Sequence, residues 1–362
     1  MVKFSQIIEG SIEWAVTVCF RPFEAKKWLI FIFVAFMAGA LSGGFNLNNH
    51  SGPPFDDGQK QQPYDDSSEV KVPPVPDKDM QDAQSFRDFV NNIKKSDKRI
   101  LIPLIVLGIS FLAGVIILFM WLSSRFMFVF LEGVIKNDAS VKEPFKKNKQ
   151  SGNSLFKFYL IFSGAMLLLI ALIISLTIAV LMKAGAFDQK GPPDAGLILF
   201  TVVPCAVVFL CLVFFAAILG LIIRDFVLII MYKDGLALMQ ALPKALSILA
   251  RYKKDFIAYI FVLMGLGILS WMIQGVLGMV AVFSLLFPSG IIGGICYLLY
   301  LVVPAPFHTA YFIILGVILV PLLLFVFYCL MGLGLPFSIF FRSLSIKFFG
   351  SLEKRYNLFL YS

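Results

Sequence analysis

Three arginines stand where long apolar runs give way to polar sequence: Arg125, Arg224 and Arg342. A guanidinium presents a rigid fork of donors that grips phosphate or carboxylate bidentately, so the three form a candidate contact for lipid headgroups or another anion. The simpler expectation is that each long side chain reaches a headgroup layer and anchors its helix. Asp225, adjacent to Arg224, is expected to pair with a neighbouring base. Gln274, Gly275 and His308 are the polar or small positions that define a candidate cavity deeper in the apolar sequence. His308 follows Pro304-Ala305-Pro306 without a carboxylate or thiolate nearby, so a cap at a helix end is expected there and a metal site is not. Gly265, Gly267, Gly275, Gly278, Gly290 and Gly294 favour close helix approach, with an unwound substrate site as the sharper alternative.

The exclusions are more specific. No GxxxxGK[ST] loop is present, which argues against nucleotide-driven work by this chain alone. HExxH, GxSxG and paired intramembrane aspartates are absent too, so the commonest hydrolytic designs are not expected. No catalytic residue, metal ligand set or cofactor is implied. The five cysteines (Cys19, Cys205, Cys211, Cys296, Cys329) form no CxxC pair and read as small buried hydrophobes. Cys19, in a juxtamembrane stretch, is also a weak acylation candidate.

Apolar helices must carry these groups. Hydrophobic residues make up 59% of the 362 positions and charged residues 15%, against about 25% in soluble domains. From Phe256 to Phe341 there is no Asp, Glu, Lys or Arg. The fold class is all-α, a polytopic transmembrane helical bundle of about six spans in three hairpins, with cytoplasmic amphipathic helices and a re-entrant segment.

Residues 1–27 hold an amphipathic helix at 4–19, ended by Arg21-Pro22, and span 1 occupies 28–45 behind Lys26-Lys27-Trp28. Ala38-Gly39-Ala40 resembles a signal-peptidase site, but the preceding segment is long and mixed in charge, so span 1 is expected to stay uncleaved. Residues 46–99 form a Pro- and Asp-rich extracytoplasmic loop with a short helix at Ala83–Ile93. Residues 100–341 hold five further spans: 100–122, 155–182, 197–223, one from Phe256, and 310–341. Pro204 and Pro321 are expected to kink their helices. Between Pro288-Ser289-Gly290 and Pro304-Ala305-Pro306 lies Ile291–Val303, which is short for a span and reads as re-entrant or interfacial. A second cytoplasmic helix is expected at 233–254, and residues 342–362 form a basic tail.

The net charge of +9 is not spread evenly: residues 132–157, 224–255 and 342–362 each carry +3, while 46–99 carries −2. Basic charge in alternate connections places both termini in the cytoplasm of a prokaryotic cytoplasmic membrane. It makes anionic headgroups at the cytoplasmic face the expected partner and leaves no role for nucleic acid. The pattern also repeats. Arg125 to Arg224 and Pro144 to Pro243 share one offset, each in an apolar span, Arg, apolar turn, polar segment, Pro, next-span order. Arg342 begins a partial third copy.

Arg21-Pro22-Phe23 with Trp28, together with even spans that end on Arg, resembles an uncharacterised prokaryotic family of six-span membrane proteins. That family is similar in architecture to the membrane domain of some glycerophosphodiester phosphodiesterases, whose soluble catalytic domain has no counterpart here. The resemblance implies a topology and no activity. The leading functional expectation is a non-enzymatic membrane protein that engages lipid or a membrane-protein partner, in envelope maintenance or assembly. A small permease or channel-like carrier is the alternative, and an enzyme acting on lipid headgroups the third.

Overall fold

A computed structural model describes residues 3–40, 98–183 and 195–360. The expected loop over 46–97, its helix at Ala83–Ile93 and the connection at 184–194 lie outside the described residues. The chain divides into two units, Met1–Leu47 with Phe119–Ser362, and Asn48–Leu118. What is described of the second is Lys98–Leu118, a run of helix whose apolar side chains from Leu104 onward are nearly all exposed.

All regular elements among the described residues are helical. Five stretches are long and apolar enough to cross a membrane: Pro103–Lys136, Lys149–Met182, Leu199–Asp234, Lys253–Val302 and His308–Leu352. The expected first span, 28–45, is not among them, being described only as far as residue 40. Its helix α2 (Ala25–Met37) has 13 residues, about 20 Å at 1.5 Å per residue, against a hydrocarbon core of about 30 Å. Gly39, at φ +67, turns the backbone out of the helix directly afterwards. The rest of that expected span, from residue 41, is outside the described residues.

One expectation is corrected, that for Ile291–Val303. It is not a separate re-entrant piece but the C-terminal part of one helix of 50 residues, Lys253–Val302, which runs straight through Pro288. The proline removes one ladder donor, and the amides on either side keep their partners because the helix continues. Ser289 Oγ donates to the Leu286 carbonyl at 2.9 Å. The turn that follows is tied across: Tyr311 Oη donates to the Cys296 carbonyl at 2.6 Å, and His308 Nε2 lies 3.0 Å from the Val303 carbonyl.

The remaining helices are α1 (Phe4–Phe20), α3 (Lys98–Lys136), α4 (Lys142–Lys147), α5 (Lys149–Lys183), α6 (Ala195–Ile222), α7 (Leu228–Asp234), α8 (Leu238–Arg251), α9 (Lys253–Val302), α10 (His308–Met331) and α11 (Leu335–Leu352). Their packing is concentrated in one layer of the first unit. There α1 lies along α11 through Ser11, Ala15, Val18 and Cys19, the i, i+4, i+7, i+8 face that its sequence pattern defines. Around Phe226, the rings of Phe256, Tyr259, Phe348 and Phe349 sit at 5.4–6.0 Å between centroids. Gly235, at φ +67, closes α7, and Ser154 Oγ accepts the Leu238 amide that opens α8. In α8 helical spacing gives Leu238, Leu242, Ala245, Leu246 and Leu249 as the apolar face; the buried residues are Leu238, Ala241, Ala245, Ile248 and Leu249, with Leu242 half-buried and Leu246 exposed.

Candidate functional site

At the end of α6 the helix widens into a five-residue π-turn, Ile223–Val227, that carries Arg224 and Asp225. Such turns insert one residue into the ladder and often mark functional positions, because they swing consecutive side chains off the regular helical face. Asp225 is buried and accepts from two elements: Arg224 Nε at 3.0 Å and Tyr259 Oη of α9 at 3.0 Å. The Tyr259 ring stacks on Phe348 with centroids 4.3 Å apart. That stacking fixes the phenol that orients the carboxylate.

Arg342, on α11, is 5% exposed and donates through Nη1 to the Arg224 carbonyl at 2.6 Å. The sequence expectation of anchoring side chains that reach out to headgroups does not describe it, because its guanidinium ends inside the protein. A cavity of about 20 Å³ lies between these groups, lined by Phe130, Arg224, Asp225, Ser338 and Arg342 among others. A space of that size holds one water-sized atom.

Arg125 is elsewhere. Its Nε and Nη2 donate to Asn153 Oδ1 at 3.3 and 2.9 Å, and its guanidinium lies over Trp121 at 4.3 Å and near Phe145 at 5.1 Å. Helix α5 comes close enough for this because Gly152 faces it: a Cβ there would stand 2.8 Å from Arg125 Cγ. The structure therefore brings two of the three arginines together and gives the third its own partners.

The candidate cavity around Gln274 is not assembled. Gln274 Nε2 donates to Ser270 Oγ one turn back at 2.7 Å, and Gly275 has open space where a side chain would be. His308 instead closes the turn between α9 and α10, against Tyr300 at 4.4 Å. Among the described residues no group of His, Cys, Asp and Glu could hold a metal ion.

Two buried carboxylates were not singled out by the sequence. Glu132 accepts from Lys136 at 2.6 Å and Asn148 at 3.1 Å, joining α3 to the turn before α5. The i,i+4 spacing of Glu132 and Lys136 was the available signal. Asp234 accepts from Arg355 at 2.8 Å, Tyr356 at 3.2 Å and Lys244 at 3.3 Å, pinning the C-terminal tail against α7 and α8. Asp234 and the burial of Tyr356 raise that phenol above its ordinary range, burial being the larger cause. Burial likewise pushes the Cys19 thiol up to about 12, against the opposing pull of Lys27. A buried thiol of that kind is a poor acylation target.

Beside the arginine pair lies a groove of about 370 Å³ between the end of α2, α3 and α5, lined by Phe36, Gly39, Phe119, Tyr159, Phe162 and Ser163 among others. Gly39 of the groove precedes Ala40 of the cavity, and Tyr159 is within electrostatic reach of Arg224 and Arg342.

Over residues 7–359 the chain matches the model of a family described as a family of unknown function (DUF7544). No curated protein and no solved structure matches it.

Proposed function

The chain belongs to the DUF7544 family of unknown function, and we propose that it is a non-enzymatic integral membrane protein that engages lipid and membrane partners through its spans. One observation carries this reading. In the most apolar 18-residue windows of the five candidate spans, 0%, 0%, 11%, 17% and 0% of residues are buried, whereas the layer at their ends is closely packed. Spans that meet so little of their own chain leave their surface to lipid or to another protein.

Lipid tails are as apolar as leucine, so no hydrophobic force drives spans together within a membrane. The packed layer can then set the fold while the spans stay available. The same reading puts that layer, with its basic connections and both termini, on the cytoplasmic side of a prokaryotic cytoplasmic membrane. The sixth crossing of this topology is the expected span at 28–45, of which α2 is the described part. The likeness to the membrane domain of glycerophosphodiester phosphodiesterases adds an architecture to this proposal and no chemistry. A permease would need a polar cavity in the spans, and the hydrogen bond that Gln274, the residue best placed to line one, makes is to Ser270 of its own helix.

The test is a photoreactive residue in place of Trp271, which is 76% exposed, compared with one at buried Tyr259. In native membranes, position 271 is expected to capture lipid or a partner protein, and position 259 only its own chain. Capture at 271 confined to this chain would refute the reading.

A further inference from the structure

Asp225 is fully engaged by Arg224 and Tyr259, so the buried cluster of Arg224, Asp225 and Arg342 carries one positive charge in excess. Among the described residues, Arg342 has the Arg224 carbonyl as acceptor and no carboxylate within ion-pair distance. Its guanidinium, in a residue only 5% exposed, therefore has one protein acceptor and the ring of Phe130 at 6.0 Å, and it lines the cavity with donors to spare. A buried charge without a counter-ion is unfavourable. An anion supplied from outside the chain removes that cost.

We infer that Arg342 and Arg224 receive one phosphate oxygen of an anionic phospholipid, whose acyl chain lies in the groove over Phe119, Tyr159 and Phe162. The inference rests on the lipid-engaging reading above and gives it a site. Three observations select this ligand. The cavity admits a single oxygen-sized atom, which suits one oxygen of a phosphate seated at its mouth. The adjoining groove is almost wholly apolar and begins at the residue before Ala40 of the cavity, which suits a hydrocarbon chain joined to that phosphate. The excess charge is +1, which the net negative charge of an anionic phospholipid neutralises and a zwitterionic headgroup, neutral overall, does not. Arg125 has no part in it, because Asn153, Trp121 and Phe145 already hold its guanidinium.

The test uses full-length protein, delipidated in detergent and titrated with phosphatidylglycerol, phosphatidylcholine or sodium phosphate, with bound mass read by native mass spectrometry. The wild type is expected to hold one phosphatidylglycerol per chain in preference to phosphatidylcholine. Arg342→Gln removes a charge-assisted contact, and retention should fall roughly 10- to 100-fold. Ser163→Trp fills the groove without touching either guanidinium and should also abolish retention. Equal retention by wild type and Arg342→Gln would overturn the site, as would binding of inorganic phosphate without the lipid. If Arg342→Gln does not fold, Ser163→Trp decides: retention in a folded Ser163→Trp protein rejects the site. Photocapture at position 271 is read separately, so loss of this site with capture intact leaves the broader reading standing, and the reverse pattern does not.

Discussion

Asp225 shows how little of a buried polar site is local. Its pairing with Arg224 is between adjacent residues and is readable from the sequence, but Tyr259 comes from a helix 34 positions away and completes the carboxylate. No spacing rule announces that partner, since Tyr259 sits in an apolar run and reads as one more core aromatic. Tyr259→Phe keeps the ring on Phe348 and deletes only the donor. A hydrogen bond to a charged group contributes about 1.5–3 kcal/mol, so the variant should unfold at a distinctly lower temperature in detergent; an unchanged midpoint would show that the bond is not holding Asp225. Cys19 gives a prediction in pH. Its thiol, near 12 in the folded protein against 9.0 unperturbed, binds its proton more tightly when folded. That contribution to stability is complete below pH 9 and is lost as the pH rises toward 12. At pH 8 Cys19 should accordingly resist alkylation in the native protein and react after denaturation, as mass spectrometry of labelled peptides would show. Rapid native labelling would mean that α1 leaves α11 readily.

At the scale of elements, glycines that look alike in the sequence have opposite roles. Gly152 lets α5 approach Arg125 so closely that a methyl group would collide, and overpacking of that kind costs about 1–3 kcal/mol. Gly275 faces open space in the middle of a helix, where alanine should be neutral or stabilising by about 0.5–1 kcal/mol. Gly152→Ala should therefore lower the melting midpoint and Gly275→Ala should not. A loss of stability in Gly275→Ala would reveal a span–span contact that the structure lacks. The long apolar helices and the amphipathic faces of α1 and α8 were within reach of composition and periodicity. The unbroken α9 was not. Pro288-Ser289-Gly290 is a strong turn signal, and the helix runs through it at the loss of a single ladder donor. The length of α2 was equally hidden: hydropathy runs on past Met37, and the φ of one glycine ends the helix.

For the whole molecule, what holds the fold and what meets the membrane are different parts of the chain. The aromatic cluster around Phe226, the three buried carboxylates and the α1–α11 contact lie in one layer, while the apolar spans contribute little packing. Mutations should divide the same way. Phe348→Ala, in the layer, should cost about 3–5 kcal/mol, whereas Phe200→Ala on an exposed span surface should leave the midpoint of unfolding almost unchanged. Reporter domains at residue 60 and at the C-terminus should fall on opposite sides of the membrane; the same side for both would contradict the charge-based topology. The pairing of a self-sufficient layer with open spans is the centre of the account, and its most direct test is extraction of the protein in native membrane patches followed by mass spectrometry of everything that travels with it. The account predicts a phospholipid enriched well above its share of the surrounding membrane, or a stoichiometric protein partner. Patches whose lipids merely mirror the bulk membrane, with this chain as their one protein, would contradict it.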